Sequence, residues 1–115
     1  MQYLLLIYDD EKKWAALPAA EVGTLIADYN KFTADIKASG HLLVANRLQS
    51  VTNATTVRVR EGKTQLTDGP FAETREQLGG YYLIEAKNLD EATAIAARIP
   101  SAKLGSIEVR PLHGM

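Results

Sequence analysis

The densest polar segment of the chain, Asp68-Gly69-Pro70-Phe71-Ala72-Glu73-Thr74-Arg75-Glu76, holds the residues best suited to chemistry. Asp68 stands directly before a Gly-Pro pair that interrupts both helix and strand, so its carboxylate sits where it can project into a cleft. There it would serve as a general base or as an acceptor that orients a ligand. The alternative is an Asp whose carboxylate bonds the backbone two residues on and holds the turn. Arg75, between Glu73 and Glu76, can grip a small anion with its planar fork, or these charges can pair with one another at the surface. Pro70 and Phe71 would stiffen and anchor the loop beside any bound ligand.

His41 follows Gly40 at a helix-to-strand corner. As a catalytic group it needs a carboxylate, and Asp68 would supply one if their strands converge; otherwise it faces the negative end of the helix dipole. His113 lies in the C-terminal tail, and two isolated histidines without an acidic cluster make no metal site. Arg47, Arg58 and Arg60 form a short basic strip, of the kind that protects strand edges from pairing. No glycine-rich phosphate loop occurs, and no cofactor is expected.

The elements that must position these groups follow from periodicity. Tyr3 to Tyr8 is an unbroken apolar run, suited to a strand buried on both faces. Asp9 to Lys13 reads as a charged connector. Val22, Leu25, Ile26, Tyr29, Phe32 and Ile36 recur every three or four residues, which predicts a helix from Pro18 to about Ser39, stopped by Gly40. Leu42–Leu48 reads as a strand. Thr55 to Arg60 alternates, with Val57 and Val59 facing in and both arginines out. Glu61-Gly62 turns the chain back through Lys63–Asp68, setting Val57 opposite Leu66 and Thr55 opposite Asp68. The segment 72–78 is polar and ends at Gly79-Gly80, which relieves crowding where the strand Tyr81–Ala86 enters the sheet. Asn88 and Glu91 form a capping box for a helix closed by Pro100, and Ile107 and Val109 mark a last strand. Strand–helix–strand, hairpin, strand–helix–strand predicts an α+β, ferredoxin-like sandwich with an inserted hairpin.

At 115 residues, with 46% hydrophobic residues, the chain fits one domain spanning its length. A net charge of -1 argues against nucleic acid, and the absence of cysteine excludes disulfides, thiolate metal sites and thiol catalysis. The six-residue apolar run at the N-terminus lacks a basic flank and a cleavage site, and nothing approaches a membrane span, so a soluble cytoplasmic protein is expected. Two helices cover only one face of a sheet whose central strands are apolar on both. A homodimer packed sheet against sheet is the simplest cover for the other.

The run 68–76 resembles the signature of the DGPF-domain proteins within the YCII-related family. The likeness extends to Tyr3–Tyr8, Ala54–Arg60, Leu78-Gly79-Gly80-Tyr81-Tyr82-Leu83-Ile84 and Ser106–Pro111, nearly the whole chain. It implies a ferredoxin-like domain that dimerises into an α+β barrel, and a genomic setting beside extracytoplasmic-function sigma factors. Broader relatives carry a His–Asp pair proposed for acid–base chemistry of a lyase kind. This chain offers Tyr29 where their histidine lies on the first helix, and Asn46 where many DGPF members carry a glutamate. Tyr donates a proton but is a poor base near neutrality, and Asn does not titrate. Three readings follow. The first is a dimeric small-molecule binding or sensing domain, its ligand held by Asp68, Pro70, Phe71, Glu73, Arg75 and Asn46. The second is a cofactor-independent lyase or isomerase using Asp68 with Tyr29 or His41. The third is a structural dimerisation module.

Overall fold

A computed structural model describes residues 1–114. The elements are β1 (Gln2–Asp9), α1 (Glu11–Ala16), α2 (Ala19–Ala38), β2 (Leu42–Arg47), β3 (Thr55–Arg60), β4 (Lys63–Asp68), β5 (Gln77–Glu85), α3 (Leu89–Ala96) and β6 (Ser106–Pro111), with 3₁₀ turns at Val51–Asn53 and Pro100–Lys103. The fold is α+β, with antiparallel pairing in both of its sheets. Four strands form an open sheet in the order β2-β5-β1-β6, while β3 and β4 pair only with each other. The described residues form no closed barrel.

Alternation on the two central strands decides what is buried. Tyr3, Leu5 and Ile7 of β1, with Tyr82 and Ile84 of β5, pack beneath Phe32 and Ile36 of α2 and the small face Ala92, Ile95 and Ala96 of α3. Phe32 meets Tyr82 edge-on, with ring centroids 5.2 Å apart. Leu4, Leu6, Tyr81 and Leu83 point to the opposite face, where no helix covers them and each is only half-buried. No helix is long and apolar enough to cross a membrane among the described residues.

Helix α2 ends where glycine allows. Gly40 adopts φ +80°, and the His41 and Gly40 amides bond back to the Ile36 and Lys37 carbonyls in a Schellman closure. Asn88 accepts from the Glu91 amide as expected for a capping box. The hairpin register is also as expected, with Val57 opposite Leu66 and Thr55 opposite Asp68. Its two-residue turn places both Glu61 and Gly62 at positive φ, the conformation that matches strand twist.

Several readings need correction. Residues 11–16 are a helix rather than a connector, capped by the Asp10 carboxylate, which accepts from the Lys12 amide. Strand β5 begins at Gln77 and runs through the glycine pair, with a bulge opposite Ile7 and Tyr8. Gly80 is the close approach there, since a Cβ would stand 2.9 Å from the Asn46 carbonyl oxygen; Gly79 faces open space. Pro100 does not end ordered structure but opens the turn that carries Ser101. Val57 and Val59 do not face in. They are 59% and 58% exposed, because the hairpin stands apart from the main sheet and no other element reaches that face.

Candidate functional site

A cavity of about 630 Å³ opens between the sheet and helices α1 and α2. Its floor is Ile7, Gly80 and Tyr82, its apolar wall Trp14, Ala15 and Ile26, and its polar groups include Asp9, Tyr29, Asn30, Thr33 and Arg47. Local sequence explains each placement. Tyr29 belongs to the inward stripe of α2, Asp9 is the last residue of β1, and Trp14 is held over the opening by the Asp10-capped helix. Glu11 ties the far rim in place: its carboxylate accepts from the Ser50 hydroxyl at 2.7 Å and from the Val51 amide at 3.1 Å. Its own amide donates to Gln77 Oε1 at 2.9 Å.

Behind the cavity wall lies a polar cluster. The Tyr29 hydroxyl bonds Ser101 Oγ, and Ser101 is fully buried. The Asp9 Oδ1 and Trp14 Nε1 atoms are also buried and make no hydrogen bond within ordinary limits. Burial pushes the Asp9 carboxyl up from its ordinary value; the Ser101 hydroxyl and Trp14 indole oppose this, and the charge of Glu76 adds to it. Burial likewise pushes the Tyr29 phenol up to about 12, with Ser101 opposing and Asp9 reinforcing. Tyr82, whose hydroxyl bonds that of Thr33 at 2.7 Å, is raised by burial too. Tyr29 is thus a neutral phenol near pH 7, a donor rather than a base, and Asp9 is the acidic group of the cluster.

The raised Asp9 carboxyl sets a pH dependence. The folded state holds this proton more tightly than the unfolded chain, whose value is near 3.8. The group's contribution to stability is therefore intact below that value and is lost as pH rises through the folded one. Asp9→Asn removes the loss. Calorimetry should show the variant melting above the parent at pH 7, with the difference vanishing near pH 3.

The residues singled out from sequence fall into three places. Tyr29 and Asn46 both line the cavity. Asn46 sits at its rim and donates from Nδ2 to the Tyr81 hydroxyl at 2.9 Å. His41 lies just past the C-terminal end of α2, which runs on nine residues from Tyr29 to Ala38, about 14 Å at the helical rise. Its carboxylate neighbour is Glu91, 3.0 Å from Nε2, with Ser39 Oγ 2.7 Å from Nδ1. Backbone bonding from Lys87, with His41 assisting, holds the Glu91 carboxyl below its ordinary value. His41 therefore joins the end of α2 to the start of α3.

Asp68 closes the hairpin, exposed, and does not line the cavity. The turn after it is held by other groups: the Gly69 amide bonds the Ala54 carbonyl, and the Thr56 hydroxyl bonds the Gly69 carbonyl. Pro70 is half-buried, but Phe71 is 79% exposed and anchors nothing within the protomer. Glu73 and Arg75 are exposed and form no ion pair among the described residues. Arg58 and Arg60 bond the Phe71 and Val59 carbonyls on the hairpin, apart from Arg47 on the main sheet. Among the described residues no group of His, Cys, Asp and Glu stands where it could hold a metal ion.

Asp9, Trp14 and Ser101 were not legible as a site. The only signals were an acid closing an apolar strand and the single tryptophan of the chain; nothing marked Ser101. Comparison with known proteins supplies the context. An uncharacterized protein of Rhizobium meliloti (strain 1021) is 40% identical over 114 residues, covering 97% of this chain and 92% of that relative. The model of the YCII-related domain matches residues 1–115. Similarity over that span, with the segment 68–76 inside it, establishes that the chain belongs to the YCII-related domain family.

Proposed function

We propose that the chain is a small-molecule binding or sensing protein that acts as a homodimer. The cavity carries this reading. At about 630 Å³ it lies within the ~300–1,000 Å³ typical of organic-ligand sites, and it sets an apolar wall against a few polar groups. Trp14 and Ile26 would take the hydrocarbon part of a ligand, while Tyr29, Asn30 and Arg47 would fix its polar end. A thermal-shift screen of the full chain against metabolites tests the reading, with Ala15→Phe as a variant that fills the cavity from the exposed side of α1. Ligands that raise the melting point of the parent but not of Ala15→Phe support it. A library in which none does so overturns it.

The strand order β2-β5-β1-β6, with β3–β4 inserted between the halves, supports a ferredoxin-like unit. The uncovered face of that sheet, with Leu4, Leu6, Tyr81 and Leu83, supports pairing with a second copy into an α+β barrel. A second functional reading, a cofactor-independent lyase or isomerase, is favoured by one observation: the Asp9 carboxyl and the Tyr29 phenol both line the cavity, the phenol bonded to Ser101. Within one protomer the acid–base pair would then be Asp9 and Tyr29, not Asp68 with Tyr29 or His41. Turnover that survives Asp9→Asn excludes it.

A further inference from the structure

The β3–β4 hairpin is an arm that its own protomer does not use. It forms a separate two-stranded sheet, and a lone hairpin in water is at best marginally stable. One of its faces is apolar by register: Val57 stands opposite Leu66, with Val59 two residues on. Those three side chains are 58–69% exposed, and Phe71 at the root of the arm is 79% exposed. The four largest apolar groups of the segment thus lie in water.

Shape and area say how much cover is missing. The Cα radius of gyration is 16.1 Å, against about 13 Å for a compact chain of this length. The accessible surface is 8061 Å², about 1,900 Å² more than a folded monomer of this mass exposes. An obligate homodimer buries ~2,000–5,000 Å² in total, so two such protomers carry the excess that a stable dimer would remove. A net charge of -1 opposes self-association hardly at all.

We propose that each arm lies on the second copy of this chain, burying Val57, Val59, Leu66 and Phe71 in the contact. The 68–71 loop, which touches no site in its own protomer, then becomes part of the partner's surface. This rests on the homodimer reading above and goes beyond it, because that reading needs only the open faces of the main sheets.

Sedimentation velocity on the full chain, with and without the double substitution Val57→Lys/Leu66→Lys, separates the two. The expected result is a dimer for the parent at micromolar concentration, and dimer affinity weakened about 100-fold or more in the double variant. A second measurement covers the case in which the variant loses the hairpin. Since the chain has no cysteine, Leu66→Cys supplies a single thiol, expected to react with a maleimide at least ~10-fold more slowly in the dimer than after dilution to monomer. A parent that is monomeric overturns the homodimer reading and the arm with it. A dimer whose affinity ignores the double substitution, or whose thiol reacts equally fast in both states, overturns the arm alone.

Discussion

Gly105→Ala is expected to lower stability by about 3 kcal/mol or more, seen as a fall of about 15 °C in Tm. Gly105 joins the Ser101 turn to β6 and lies flat against the end of β1. A Cβ there would stand 2.6 Å from Asp9 Oδ1 and closer still to the Tyr8 carbonyl oxygen. The second contact is with backbone inside a strand paired on both sides, so no rotamer change relieves it. Either β6 separates from β1 or the Ser101 turn moves, and the Gly105 amide bond to the Ser101 carbonyl, 2.8 Å, links the two. The substitution should therefore disturb the cavity cluster as well as the fold. Gly79→Ala is the control: a Cβ there meets nothing within 4 Å, and its effect should stay within about 1 kcal/mol. Urea unfolding of the two variants against the parent makes the comparison. Equal stability of Gly105→Ala and parent would mean that the turn does not rest on β1.

That contrast between two glycines shows what a sequence carries and what it does not. Local rules reached far here. Gly40 ends α2, Glu61-Gly62 turns the hairpin in the expected register, and Asn88 caps α3, because each depends on residues within about four positions of itself. Helix α1 escaped because six residues are too few to show a period. Alternation in Thr55–Arg60 identified which side chains share a face, but not whether that face would be covered; coverage is a property of the whole molecule. The site suffered most from this limit. The segment 68–76 has the densest polar chemistry, yet it stands at the root of the arm outside the cavity. The polar groups that do converge come from β1, α1, α2 and the turn before β6, segments distant in sequence. Tyr29 and Asn46 were legible only as substitutions against a family pattern, and both line the cavity.

The Tyr29–Ser101 pair should behave as one unit. Ser101→Ala leaves a mostly buried phenol without its partner, a loss of about 1–3 kcal/mol, and Tyr29→Phe strands the hydroxyl of a fully buried serine at comparable cost. The double variant removes both polar groups and should be more stable than the sum of the two predicts, with a coupling of about 1–2 kcal/mol. High pH gives an independent readout. The folded phenol titrates at about 12 against an ordinary value of 10.0, so its contribution to stability is intact below pH 10 and is lost as pH climbs toward 12. Tyr29→Phe should lack that part of the alkaline loss, while Tyr82→Phe, which removes a separate raised phenol bonded to Thr33, should retain it. Denaturant unfolding of the four proteins at pH 7 and of the parent and two Phe variants between pH 9 and 12 checks both parts. Additive single substitutions would mean that Ser101 and Tyr29 do not depend on each other, and the cluster would then lose its claim to hold Tyr29 toward a ligand.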